Sequence, residues 1–498
     1  MIARIGPRRM PRIRAALGLF ALLGCGTAAH SPHETGDSSH ARWVVIAPHP
    51  DDETLTASGV LLHAAQSGTD PAVIVMTNGD LDCIHDGVRR EGESVAAMAV
   101  LGIREDRLFF LGYPDGGLAQ LGRTPLPPRR RIIDGACTLG NTTYGARGFG
   151  RRDYHHVRFG SSASYTRENV VADLAAVLAE LHPTDVVVTH SEDTHPDHAA
   201  TYTLLRSALD RLAEAPRIHR AMVHNGDCWP TGTASSEPCP PPRIAPNEPT
   251  PPLSGRLTGY SPSERFVVPS NCLLLDPAAN PKLRAIAAHA SQTRGTLASY
   301  LFGFARSDEV FFPERLTRTE GRWHRGPAAT QAWRTHTLRL SPRDSEYELP
   351  FAAPIAVAGN ISRPRSTNTG RVARIELLTD ASGSYTLSID ADRREATLAR
   401  RFDGRPPERL RVWPMPHDLW TSTTTEPLEL AIEPHPEDGS VAELSLRVRN
   451  ELVGVAVDVR PRLRGDRIGV SNVIAAGGEL TARGVPNVSA SPSARPAP

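Results

Sequence analysis

Trp43-Val44-Val45-Ile46-Ala47-Pro48-His49-Pro50-Asp51-Asp52-Glu53 is the stretch from which the fold is read. Its apolar run has the length and continuity of a strand buried on both faces, and it stops abruptly at Pro, His and Asp. Open α/β sheets bind ligands at the carboxyl ends of their strands, so polar side chains that follow such a run stand where ligands bind. Thr54 to about Ala65 reads as the helix leaving this edge. His49 and Asp52 are spaced i, i+3, which brings both to one side of a first helical turn, and Asp51 then faces elsewhere. This is one half of a mononuclear metal site. The same residues also fit an ordinary helix start, since Asp is favoured at caps and first turns and Pro at the first helical position.

The arrangement recurs. Thr184-Asp185-Val186-Val187-Val188-Thr189 is a further buried strand, and it runs through His190-Ser191-Glu192-Asp193-Thr194-His195-Pro196-Asp197-His198 into a helix over Ala199 to Leu212. His195 and His198 again stand at i, i+3. Two such edges converge only if their strands are neighbours, as in a right-handed doubly wound sheet whose first strand lies beside this one. Chance helix caps would rarely both carry His-Pro-Asp behind an apolar strand, so the repeat favours the metal reading. Between the two edges lie strands at Ala72 to Thr77 and Arg107 to Gly112, and helices at Val88 to Leu101 and Asn169 to Leu181. The expected fold is α/β, a Rossmann-like doubly wound, mostly parallel sheet. Long irregular stretches at about 117–165 and 227–263 interrupt it; Arg129-Arg130-Arg131 and His155-His156 in the first either touch substrate or are loop residues.

His-Pro-Asp-Asp-Glu near the start and His-Pro-Asp-His after a later strand resemble the PIG-L/LmbE family of zinc-dependent N-acetylglucosaminyl deacetylases and amidases. Supporting matches are Arg90-Glu91-Gly92-Glu93 with Leu101-Gly102-Ile103, then Phe110-Leu111-Gly112-Tyr113-Pro114-Asp115-Gly116-Gly117-Leu118, and less specifically Lys282 to His289-Ala290-Ser291-Gln292. The resemblance covers about 42–316; the two long insertions and the C-terminal part depart from it. It implies His49, Asp52 and His198 as zinc ligands and Asp51 as general base. It further implies His195 as the group that stabilises the oxyanion or protonates the leaving amine, and Asp197 as the carboxylate that orients a histidine.

Elementary chemistry suits the same division. Three N/O ligands leave a fourth zinc position for water, and the ion lowers that water's pKa toward about 7 while polarising the acyl oxygen. Asp51, an unligated carboxylate between two ligands, is placed to take the proton. A charged His195 would face the developing oxyanion, and Asp197 would fix a ring tautomer. The competing readings are a simple cap for Asp51 and a fourth ligand or buried hydrogen-bonded ring for His195. Arg90 and Asp115 line the substrate cleft or are a helix charge and a turn; Glu53 has a supporting role and His289 a structural one.

Length bounds the rest. The chain has 498 residues, 40% hydrophobic and 22% charged, which suits two or three ordinary cores rather than a disordered or fibrous protein. Five arginines (Arg4, Arg8, Arg9, Arg12, Arg14) and no acids occupy residues 1–24, so the formal charge of +1 hides a mildly acidic remainder, which argues against a nucleic-acid partner. Residues 1–24 read as an export signal, of lipoprotein type if Leu22-Leu23-Gly24-Cys25 is a lipobox and Cys25 the lipidated, membrane-attached residue. Cleavage near Thr27-Ala28-Ala29 to give a periplasmic or secreted protein is the other reading, and Arg8-Arg9 also fits a twin-arginine signal. The expected organisation is then a linker over 25–40, a deacetylase-like domain over 41–325, a β-sandwich-like accessory domain over 330–484 and a disordered tail over 485–498. The paired cysteines would be Cys228 with Cys239, and Cys83 with Cys137. The expected function is zinc-dependent removal of an N-acyl group from an amino-sugar-containing glycan or small molecule. Its rivals are an inactive carbohydrate-binding surface protein and a metal-dependent amidase for a non-sugar amide.

Overall fold

The computed structural model describes residues 41–486 except 82–83, 129, 132–136, 139, 146–151, 226–228, 231–242, 254–262, 295, 320–321, 326–336, 341–344, 349–350, 368–369, 381–382, 403, 422–424, 435–440, 460, 462–466 and 472–479. The expected export signal, the lipid site at Cys25, the linker and nearly all of the tail lie outside the described residues, as do both proposed disulfides. Cys272, the thiol they leave over, is buried and free.

The core strands are β1 (Trp43–Ala47), β2 (Ala72–Thr77) and β3 (Leu108–Tyr113). After the short hairpin of β4 (Arg130–Arg131) and β5 (Cys137–Thr138) come β6 (Asp185–Thr189), β7 (Arg217–Ala221), β8 (Glu264–Val267) and β9 (Asp308–Glu314). The seven-stranded sheet runs β3-β2-β1-β6-β7-β9-β8. Its first five strands are parallel, β9 pairs antiparallel with β7 and β8 antiparallel with β9, so the expected parallel core carries an antiparallel edge. Strand order reverses between β1 and β6, and at such a switch point the loops leave on opposite faces and open a crevice.

Helices cover both faces: α1 (Asp52–Gln66), α2 (Ile84–Val100), α3 (Tyr154–Phe159), α4 (Arg167–Leu181), α5 (Pro196–Leu209), α6 (Pro281–Ala288) and α7 (Thr296–Phe302). Alternation along β1 divides the core. Val44 and Ile46 join the α4 and α5 side, and Val45 joins the α1, α2 and α6 side. α5 starts at Pro196, three residues before the predicted Ala199, because the His195 ring accepts the Asp197 amide hydrogen and caps the helix. β7 escapes a hydropathy reading because Arg217, His219 and Arg220 lie in it. The buried His219 and Arg220 are matched by Asp185 at 2.8 Å and Glu314 at 3.5 Å.

Beyond β10 (Leu316–Thr319) and β11 (Arg322–Arg325) lie β12 (Thr337–Leu340), β13 (Ser345–Glu348), β14 (Phe351–Ser362), β15 (Val372–Asp380), β16 (Gly383–Asp390) and β17 (Glu395–Phe402). Then follow β18 (Glu408–Pro414), β19 (Thr425–Pro434), β20 (Ala442–Val448), β21 (Glu451–Asp458), β22 (Arg467–Ser471) and β23 (Leu480–Pro486). They form two six-stranded antiparallel sheets, β12-β23-β14-β19-β20-β21 and β13-β22-β15-β16-β17-β18. Val357 and Leu430 of the first sheet share one buried cluster with Leu377 and Leu387 of the second. Leu452 and Val455 of β21 belong instead to the α4 and α5 core, so the β-rich part and the α/β part have apolar surface in common.

α1, which carries Asp52, is held from behind by a buried ion pair. Lys282 Nζ lies 2.6 Å from Glu309 Oε1, and the same carboxylate accepts the Gly59 and Val60 amides at 2.8 and 3.1 Å. Removing one partner strands the other charge in the interior, whereas replacing both with apolar side chains does not. Glu309→Ala should therefore cost about 3–5 kcal/mol in urea unfolding, and Lys282→Met with Glu309→Leu clearly less.

Candidate metal centre

The turn after β1 is built to present side chains. The Pro48 carbonyl accepts from the Thr77 amide and hydroxyl at the end of β2, at 3.0 and 2.9 Å. Asp52 Oδ2 accepts the His49 amide at 3.0 Å, which folds the two side chains together. Across the switch point, Thr189 at the end of β6 donates to the His198 carbonyl at 2.9 Å and seats the first turn of α5.

Three atoms then converge. His49 Nδ1 is 3.1 Å from Asp52 Oδ2 and 3.2 Å from His198 Nε2, and His198 Nε2 is 3.2 Å from Asp52 Oδ2. All three residues are buried. Three donors on one tetrahedral ion at about 2.0–2.2 Å stand roughly 3.3 Å apart, so this near-equilateral triangle fits a zinc-like ion. Two imidazole nitrogens and a carboxylate oxygen are also the donor types that such an ion takes. His195 brings a further nitrogen within 4.8 Å of the His49 and His198 donors, and His49 forms another such group with Asp115 and Asp197.

Carboxylates back the triangle. His49 Nε2 lies 3.2 Å from Asp115 Oδ1 and 3.4 Å from Asp197 Oδ2. Asp197 is itself held by the Gly116 and Leu118 amides at 2.6 and 3.0 Å. Asp193 Oδ2 is 3.2 Å from His198 Nδ1 and accepts the Val223 and His224 amides, both at 2.9 Å. This arrangement fixes which ring nitrogen faces the centre. It also draws positive charge. Burial works against a charged ring at His198, yet Asp52 and Asp193 push it up to about 10. Burial likewise opposes ionisation of Asp52, but His198 and His49 hold its carboxyl well below the usual range.

Asp51 precedes α1 at φ 143°, a left-handed conformation strained for any residue with a side chain, and its side chain makes no capping bond. The simple-cap reading therefore does not describe it. Its carboxylate receives Arg90 Nη2 at 3.3 Å, and burial, opposed by Arg90, pushes it up to about 6. Arg90 lies against Gly79, at φ 63°, where an added Cβ would sit 2.5 Å from the guanidinium carbon. It donates to the Gly79 and Pro50 carbonyls at 3.1 and 3.0 Å. Glu53 accepts the Asp51 amide and the Ser94 hydroxyl at 3.0 and 2.8 Å, and burial lifts it to about 8.

The His195 ring stands 4.8 Å from His49 and 4.9 Å from His198. Its Nδ1 accepts the Asp197 amide at 3.3 Å, which leaves the proton on Nε2. Burial, then repulsion from His49 and His198, lowers it to about 4, so the ring is neutral where the expectation was a charged one. The centre thus gathers all six predicted residues: His49, Asp51, Asp52, His195, Asp197 and His198. Arg90 and Asp115 prove to be neighbours of the site. His289 is buried against Thr54 at 3.0 Å. His155 instead bonds Asp173 at 2.7 Å, behind β3, and the side chains of Arg129, Arg130 and Arg131 lie outside the described residues. A cavity of 390 Å³ between α5 and strands β18 and β21 takes Thr194 and Pro196, beside His195, into its wall but none of the triangle.

Asp193 and His224 were not foreseen. The His224 ring is 4.8 Å from His198 and stacks on Tyr300 at 6.0 Å. Its signal was present: Ala221-Met222-Val223-His224 repeats the rule of an apolar strand end followed by His.

Residues 44–209 match the family described as PIG-L: GlcNAc-PI de-N-acetylase. A 1D-myo-inositol 2-acetamido-2-deoxy-alpha-D-glucopyranoside deacetylase of Mycolicibacterium gilvum (strain PYR-GCK) is 28% identical over 321 residues, 60% of this chain and 96% of that one. An enzyme of the same name from Mycobacterium sp. (strain KMS) is 30% identical over 200 residues, 36% of this chain and 53% of that one, so the match spans about half its length. The solved zinc inhibited form of teicoplanin deacetylase Orf2 is 16% identical with a TM-score of 0.33, covering 58% of this chain and 99% of that one.

The carboxylates behind the histidines are open to direct test. Asp115→Asn and Asp193→Asn should each weaken metal binding about 10–100-fold in chelator competition with the fold intact. Unchanged affinity in both would show that neither carboxylate supports the triangle.

Proposed function

From the premise that residues 44–209 form a PIG-L family domain, we propose that the chain is a metal-dependent N-deacetylase acting on an N-acetylglucosamine-like substrate. The observation that carries this reading is the triangle of His49 Nδ1, Asp52 Oδ2 and His198 Nε2 with edges of 3.1–3.2 Å.

These three residues would hold zinc, which when bound supplies an activated water and polarises the acyl oxygen. Asp51, outside the triangle and beside it, takes the proton as the nucleophile attacks the amide carbon. It then delivers that proton to the nitrogen as the C–N bond breaks. Arg90, 3.3 Å from Asp51, holds the carboxylate in place. His195, with its proton on Nε2, donates a hydrogen bond to the acyl oxygen as negative charge develops there. Asp197 and Asp115 fix the ring of His49, and Asp193 that of His198.

Two further parts of the proposal rest on sequence. The arginine-rich and apolar residues 1–24 with Leu22-Leu23-Gly24-Cys25 fit export to a bacterial envelope and lipid attachment. The shared cluster of the two C-terminal sheets fits a β-sandwich.

The test is metal analysis of the purified chain with a deacetylation assay on N-acetylglucosamine conjugates. The expected result is one zinc per chain, lost in His198→Ala. Asp51→Asn should keep the metal and lose about 10²–10⁴-fold in kcat. A chain without stoichiometric metal, whose activity neither substitution alters, would refute the assignment.

A further inference from the structure

The β-rich part reaches the loop beside the candidate centre. Arg411, on β18, donates from Nη1 to the Glu192 carbonyl at 3.0 Å and from Nη2 to the Ser191 carbonyl at 3.1 Å and to that of Asp193. Three successive carbonyls directed at one point repel each other, and a cation with several donors in one plane offsets that repulsion. From β21, the Val457 amide donates to Glu192 Oε1 at 3.1 Å. The loop between β6 and α5 is therefore gripped by two strands more than 200 residues further along the chain.

What this loop carries matters to the centre. Asp193 Oδ2 faces His198 Nδ1 at 3.2 Å, and Asp193 Oδ1 accepts the His195 amide at 2.9 Å. A shift of the 191–193 backbone would move the carboxylate behind one candidate ligand and the amide of His195 together.

We propose that Arg411 is a positioning residue for the centre, which makes the β-rich part a component of the site rather than an appended module. The role rests on the deacetylase reading above. Ordinary interdomain adhesion does not require Arg411. The joint is already made by Arg167 with Glu451 at 2.6 Å and the Leu452 carbonyl at 2.7 Å, by the Thr124 amide on Asp418 at 2.8 Å, by the His417 amide on the Gln120 carbonyl at 3.0 Å, and by Leu452 and Val455 in the α4 and α5 core. None of these bonds involves residues 190–198. Among the described residues of the β-rich part, Arg411 is the guanidinium that addresses that loop.

The experiment uses the full chain as wild type, Arg411→Ala and Arg411→Lys. Hydrogen exchange is followed over peptides covering 189–198 and over β18 and β21, with zinc affinity and kcat and KM measured separately. Arg411→Ala should speed exchange within 189–198 while β18 and β21 stay protected, weaken zinc about 10–100-fold, and lower kcat more than it raises KM. Arg411→Lys keeps the charge but lacks the planar fork, so it should recover part of each. Wild-type exchange and zinc affinity in Arg411→Ala would overturn the proposal. So would loosening spread evenly over 189–198, β18 and β21, the mark of plain adhesion. Absence of zinc from the wild type would sink the deacetylase reading alone, and the exchange data would still decide whether Arg411 holds the loop.

Discussion

The parallel pairing of β1 with β6 is the contact on which the centre depends. Register sets Trp43 opposite Asp185 and Ile46 opposite Val188, so both strands end at the same level. The turns that follow them then release His49, Asp52 and His198 into one crevice. A register slip would turn every side chain of the strand to the other face, and both faces here are buried against helices, which makes the correct pairing strongly preferred. Burial of apolar surface thus fixes the position of polar atoms that contribute little to folding themselves.

Those atoms raise a second constraint. Four carboxylates, Asp52, Asp115, Asp193 and Asp197, surround two imidazoles in a region almost closed to water. Concentrated negative charge is tolerable in the interior only with a compensating cation. Amide hydrogens from Gly116, Leu118, Val223 and His224 satisfy part of the demand. The remainder is met by holding positive charge on the histidines or by a metal between them. Burial first, and then the same arrangement, keeps His195 neutral: two neighbouring rings already claim the positive charge, and a third charged imidazole 4.8 Å away is repelled.

How far this was legible in the sequence follows from where each partner sits. β1 and β6 were legible because a strand buried on both faces must be a continuous apolar run, and the candidate ligands follow it directly. Asp193 stood in the open within His190 to His198, but acids and histidines at such short spacing cannot be ranked until the helix start is known. β7 was hidden because the charges of His219 and Arg220 are neutralised by Asp185 and Glu314, contacts that exist only in the folded chain. His224 was lost with it. From its position Asp51 could be a cap or a base; its backbone angle and its bond to Arg90 exist only in the folded chain. Arg411 is the extreme case, since its partners are 218 to 220 positions away and nothing in its neighbours sets it apart from the other arginines of the β-rich part.

Asp51 shows how the two constraints meet. Its strained conformation follows from what lies on either side. Asp52 Oδ2 holds the His49 amide, and Glu53 Oε2 holds the amide of Asp51 itself. With the backbone pinned before and after, Asp51 cannot relax into a helical or extended angle without breaking one of these bonds. Relaxation would carry its carboxylate away from Arg90 or draw Asp52 out of the triangle. A strain of about 1–3 kcal/mol is small beside the burial that holds α1 against the sheet. The fold therefore keeps a carboxylate beside the candidate metal ligands but outside their triangle, the separation that general-base chemistry at such a centre would use.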